Sequence, residues 1–283
     1  MNVQITKYLK ITLPLFLGGL LSVSASMAFA ELTTPTPCST LLVTGNPEYP
    51  PFLWRDKENP EKLIGAAVDL LNMAVKDLGI TVDSRYVGPW ARSQEEAKVG
   101  RVDMLTGAFI TDQRQTYMDY IKPAMMDMSN VIFVKKGAEF PLNDWSDLKG
   151  RQGDTLINNS FGQAFDTFAK NELIIEQVRS IEFAFERLLL GRTDYVIYEE
   201  YQGYAIAEAR GFADKISHLP KAISAEGLYF TLSKASRCNT PEFLDFLNKK
   251  IAGYVQDGVP AKLAADAMIV WRQQSTNIDG DGD

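Results

Sequence analysis

Short apolar runs alternate along the chain with stretches whose apolar positions recur every three or four residues. Residues 41–44 are an apolar run that breaks at Gly45-Asn46-Pro47, as a buried strand ending in a loop does. Tyr49-Pro50-Pro51-Phe52 follows, an extended turn whose two prolines cannot continue a sheet ladder. Val68, Leu71, Val75 and Leu78 fall at helical spacing and predict a helix over 65–78, ended by Gly79. Residues 81–87 alternate as a strand, 91–99 read as a polar-faced helix ending at Gly100, and 102–106 as the next strand. That strand breaks at Gly107, and Thr111-Asp112-Gln113 then signals a helix start. A further strand is predicted over 131–134, with Lys135-Lys136-Gly137 as a crossing point.

A second block of the same texture follows the turn Asp147-Leu148-Lys149-Gly150. Helices over 161–170, 181–190 and 202–210 alternate with strands over 173–178, 195–198 and 228–232. Helices over 241–256, opened by Pro241, and 261–268 close the pattern. Strands alternating with helices imply an α/β architecture with mostly parallel sheets. In such sheets ligands sit beyond the carboxyl ends of the strands. Tyr49, residues 106–114 and Glu199 all fall just past strand ends, where a cleft shared by two blocks would lie.

The first thirty residues stand apart. Lys7 and Lys10, an apolar run over 11–21 and Ala28-Phe29-Ala30 read as a secretory signal peptide cleaved after Ala30, which places the mature protein in the periplasm. The run is short for a membrane span and no other long apolar run appears, so the mature chain is expected not to be membrane-embedded. Losing the two leader lysines takes the net charge from −7 to −9, which argues against nucleic acid as a partner. In an oxidising compartment Cys38 and Cys238 most simply form one disulfide. Two free buried thiols or a metal site are the alternatives, although two cysteines and His218 are few for zinc. The stretch 31–40 is a Pro/Thr-rich lead-in. The tail 273–283 ends in an acidic DGDGD that lacks the distal Glu of a calcium loop, and reads as a disordered acidic tail.

Arg114 occupies the first turn of its helix, where the partial positive charge of the helix start disfavours a cation. That placement suggests an anion, and arginine grips a carboxylate with two parallel hydrogen bonds. By itself the residue fits an ion pair with a nearby acid, or a place in water, at least as well. Tyr49 and Trp90 also fit as ordinary core aromatics, and Glu200 could serve in place of Glu199.

The order YPPF, GAAVDLLNMAVKDLG, Trp90, GRVD, TDQR, DLKG and GRTDYVIYEE resembles the family 3 periplasmic solute-binding proteins, the amino-acid-binding components of ABC importers, over about 41–271. The resemblance implies a two-lobed, type II periplasmic binding fold. Each lobe would be a central mostly parallel sheet flanked by helices, and two hinge strands would join them. Residues 31–133 and 230–272 would form lobe 1 and 134–229 lobe 2, so both cysteines would share lobe 1. Arg114 matches the carboxylate-gripping arginine and Glu199 the acid that holds the ammonium group. Tyr49 and Trp90 match the aromatic positions around the ligand, and Thr106 and Gly107 the strand end that lines it. Asn159 and Ser160 lie near the lobe 2 helix start that meets the carboxylate. Phe109 departs from the pattern: the family commonly has Ser or Thr there.

The implied function is non-catalytic capture of an amino acid or similar small carboxylate for an ABC permease, by a monomer with no cofactor and no metal. Two alternatives share the fold: a periplasmic dehydratase of the cyclohexadienyl type, with Glu199 as acid, and a soluble ligand-sensing partner of a membrane receptor.

Overall fold

The computed structural model describes residues 37–276. The expected signal peptide, most of the lead-in and the end of the expected tail lie outside the described residues. In chain order the first part comprises β1 (Thr40–Thr44), β2 (Glu48–Tyr49), β3 (Leu53–Arg55), β4 (Leu63–Ile64), α1 (Ala66–Val75), β5 (Thr81–Ser84), α2 (Trp90–Lys98), β6 (Met104–Ala108), α3 (Asp112–Gln115) and β7 (Met118–Tyr120). Then come β8 (Met126–Lys135), β9 (Gln152–Leu156), α4 (Gln163–Glu172), β10 (Ile174–Val178), α5 (Ile181–Leu189), β11 (Tyr195–Glu199), α6 (Glu200–Ala209) and β12 (Ile216–His218). The chain ends with β13 (Ser224–Ser233), α7 (Pro241–Gln256) and α8 (Val259–Thr276).

Two parallel cores sit at the two ends of one strand series, β10-β9-β11-β8-β13-β6-β1-β5. In the first lobe β1 runs parallel to both β5 and β6. In the second β9 runs parallel to both β10 and β11. Between them lie the two long strands, antiparallel to each other over Ser224–Leu228 against Met126–Asn130. Beyond that shared stretch they part: β8 continues along β11 and β12, and β13 along β6 and β7. These are the two hinge strands of a two-lobed α/β fold.

Local chemistry explains the elements. Leu70, Leu71, Ala74 and Val75 are buried on α1, and left-handed Gly79 closes the turn that follows. Thr240 caps α7 by accepting from the Phe243 amide, with Pro241 in the first turn. Phe243, Leu247 and Ile251 then carry that helix into the core. A disulfide joins Cys38 to Cys238, tying the approach to β1 to the segment after β13.

Several expectations move. Pro50-Pro51-Phe52 is a turn as expected, but it joins two strands that pair with each other, β2 and β3, with Tyr49 opposite Leu53. The prolines occupy the turn, where no ladder donor is needed. The strand expected over 81–87 stops at Ser84. Both long strands begin before their apolar runs, in stretches of mixed polarity that pair with each other. That pairing precedes Lys135-Lys136-Gly137, where the pattern put the crossing. Gly162, at φ +95°, starts α4 two residues later than predicted, and a side chain there would collide with Glu226. α8 runs through Thr276, past Gln273 where the tail was expected to begin.

Candidate site in the interlobe cleft

The site is assembled from strand ends. β6 ends at Ala108, and Thr111 then caps α3 by accepting from the Arg114 amide at 3.1 Å. This turns the Arg114 side chain inward, where it is 4 % exposed. Its Nε donates to Gln94 Oε1 at 3.1 Å, Nη1 to the Phe109 carbonyl at 3.1 Å and Nη2 to the Asn158 carbonyl at 3.0 Å. The guanidinium lies 5.2 Å from the Trp90 ring centre, a cation–π distance. Arg114 is therefore held by neutral acceptors rather than by a carboxylate. Burial pushes its pKa down, and the fields of Tyr120, Tyr117, Asp166 and Glu199 oppose that.

Glu199 closes β11 and is 1 % exposed. Burial raises its pKa to about 7; Tyr49, Arg114 and Asn159 pull the other way. Neither Tyr49 nor Asn159 reaches hydrogen-bond geometry with it, and Glu199 Oε2 is buried without a partner. Glu200 is not its equivalent: it is 44 % exposed and 3.8 Å from His218 Nε2. His218 also meets the Tyr204 hydroxyl at 3.0 Å.

Between Arg114 and Glu199 lies a cavity of about 20 Å³, lined also by Tyr49, Trp90, Phe109 and Asn159. Thr106 and Gly107 line it as well; the Thr106 hydroxyl is spent on the Thr44 carbonyl at 3.2 Å. Ser160 does not line it. Its hydroxyl donates to Asp166 at 2.5 Å, in the first turn of α4, and it faces a wider cavity of about 620 Å³ that Arg114 and Asn159 also border. The smaller cavity has room for about one water molecule, so an amino acid enters only if the lobes or the lining side chains move. Four polar atoms around it are buried without a partner: Tyr49 Oη, Trp90 Nε1, Asn159 Nδ2 and Glu199 Oε2. Buried polar atoms are normally satisfied, so four orphans around one cavity mark a place built to meet a polar guest.

The sequence reading missed Asn46, Phe52, Leu53, Ala108 and Leu228, which complete the lining. It also missed Gln94 and Asn158, which hold Arg114. Gln94 was findable: it stands four residues after Trp90 on α2, hence on the same face. Asn158 gives no such signal. Its φ of +59° turns its carbonyl toward Arg114 and toward the Gln94 amide, 3.1 Å away. Among the described residues no group of three or more His, Cys, Asp or Glu could hold a metal.

The family model for bacterial extracellular solute-binding proteins, family 3, matches residues 41–267. The chain belongs to this family. Solved structures agree on the fold. An ancestral arginine-binding protein bound to arginine is 24 % identical, with a TM-score of 0.66, over 81 % of this chain and 97 % of the other. The substrate-binding protein of an amino acid ABC transporter is 21 % identical, with a TM-score of 0.65, over 80 % and 98 %. A histidine kinase sensor domain with similarity to periplasmic binding proteins is 21 % identical, with a TM-score of 0.68, over 81 % and 96 %. No curated protein sequence matches significantly. As in other family 3 solute-binding proteins, the role is to bind a solute. No helix among the described residues is long and apolar enough to cross a membrane.

Proposed function

We propose that this family 3 protein captures a small zwitterionic carboxylate, an amino acid or a close analogue, between its lobes. The four unpartnered polar atoms around one cavity carry the reading. A zwitterion needs a cation, an anion and orienting donors converging in a mostly apolar cleft. Arg114 offers two guanidinium N–H groups beyond the three it has used. Glu199 offers a carboxylate for the ammonium group, Asn159 and Trp90 are spare donors, and Tyr49, Phe52 and Phe109 form the apolar wall. The first lobe is proposed to take residues up to 133 and from 230 onward, so the ligand bridges the lobes and favours the closed arrangement. The protein is proposed to act as a monomer in the periplasm, after cleavage behind Ala30, and to deliver its solute to an ABC permease.

A thermal-shift screen of amino acids and small carboxylates tests the reading. At least one compound raises the melting temperature of the wild type, and Arg114→Ala abolishes that rise. A rise that survives Arg114→Ala refutes the carboxylate role. A second reading is favoured by one observation: burial raises the Glu199 pKa to about 7 beside the cavity, which suits a general acid. Turnover of prephenate or arogenate, lost in Glu199→Gln, would favour a dehydratase over a carrier.

A further inference from the structure

Glu48 takes no part in the cavity, and its side chain reaches the other lobe. It belongs to β2, in the small sheet that packs through β3 and β4 on α1 of the first lobe. Its carboxylate meets the start of α5 in the second lobe. The Ser180 hydroxyl donates to Oε1 at 2.8 Å and the Ile181 amide to Oε2 at 3.3 Å. The Glu48 carbonyl accepts from the Tyr198 hydroxyl at 2.7 Å, and that hydroxyl accepts from the Asn46 amide at 3.2 Å. None of these groups joins the Arg114–Asn158 contact, so Glu48 ties the lobes independently of that contact. A carboxylate suits a helix start, where amides lack partners and the dipole is positive. Parting the lobes would return both the carboxylate and those amides to water.

We propose that Glu48 is an interlobe latch: its carboxyl group, seated on the start of α5, favours the closed arrangement of the lobes with or without a bound solute. It is a positioning residue, acting on capture through the width of the cleft, and the inference does not depend on which solute is captured. It predicts sensitivity to protons. Burial raises the Glu48 pKa to about 7 in the closed arrangement; the Ser180 and Ile181 hydrogen bonds oppose this, Glu182 adds to it and Arg210 opposes it. Tyr198 of β11 faces the same group, and Arg210 is itself tied to Glu182 at 2.8 and 3.0 Å. Once solvated, the carboxyl would return to its ordinary value of 4.5. The closed form therefore binds the proton more tightly. Closure is strongest below pH 4.5 and weakens as pH rises to about 7, by up to about tenfold in the closed-to-open ratio per pH unit. Glu199 has the same sign, so Glu48 supplies only part of the effect.

Small-angle scattering without solute reads this directly. The wild type is compact at pH 5.5 and expands by pH 8. Glu48→Ala is expanded at both, and Glu48→Gln, which keeps an acceptor but no charge, loses a measurable part of the pH response. Circular dichroism confirms that the variants are folded; if Glu48→Ala is not, Glu48→Gln decides alone. A Glu48→Ala protein as compact as the wild type, or a Glu48→Gln protein with the full wild-type pH response, overturns the latch. Since no solute is added, a failed amino-acid screen and a failed latch remain distinguishable.

Discussion

At the scale of single residues, the site's properties come from withdrawing charges from water. Glu199 shows the consequence most clearly. Its pKa is raised to about 7 in the folded protein against 4.5 ordinarily. A raised carboxyl pKa contributes stability that is fully present below the ordinary value and is lost as pH climbs through the folded value. Glu199→Gln is therefore expected to raise the melting temperature at pH 8 and leave it nearly unchanged at pH 5, as a calorimetric pH series would show. The same variant should lose affinity for a zwitterion, because the ammonium group loses its counter-charge. Arg114 was legible in the sequence because a cation in the first turn of a helix is locally unfavourable. Of its actual partners, Gln94 was findable four residues after Trp90 on α2, but the Asn158 carbonyl was not, since tertiary folding alone brings it in. Ser160 illustrates the opposite error: its place beside a helix start was readable, but not that Asp166 would claim its hydroxyl.

At the scale of elements, pattern was most informative where it was long. The helix at α7 has a cap, an N-terminal proline and an apolar face, and its bounds were read as they stand. β3, β4, β7 and β12, of two or three residues each, are too short to display a period of two. They exist because neighbours offer them a ladder. One contact between elements also lies beyond sequence reasoning. Arg187 of α5 donates its Nε to Asp154 of β9 at 2.6 Å and also pairs with Glu176 of β10. The Asp154 side chain is fully buried. Removing one partner of a buried pair strands the other charge. Arg187→Met is expected to cost about 3–5 kcal/mol by that rule, measured by urea denaturation. Glu176→Gln, whose carboxylate is half exposed, should cost under about 1 kcal/mol.

At the scale of the whole molecule, the two-block rhythm of strands and helices already implied two α/β layers, and the order of motifs implied the lobes. The mutual pairing of β8 and β13 was not marked by the apolar runs, because polar and small residues interrupt both stretches, Met126–Asn130 and Ser224–Leu228. The disulfide joins residues 200 apart in the chain. By chain-entropy reasoning a closed loop of that length is worth about 5 kcal/mol. The Cys38→Ser, Cys238→Ser double variant should therefore unfold at markedly lower denaturant, and the wild type should match it once reduced.

The last helix carries a further consequence. Trp271 of α8 lies edge-on to Trp54 at 5.7 Å in the first lobe, while its Nε1 donates to the Ala205 carbonyl of α6 in the second at 3.2 Å. An indole that spans the joint is a built-in optical gauge. When the lobes part, that N–H loses its acceptor and meets water, so the emission of unlabelled protein should shift to longer wavelength. Trp271→Phe should silence the shift while scattering still records the motion. Opening and closing can thus be timed by stopped-flow fluorescence, with no dye attached and no solute identified.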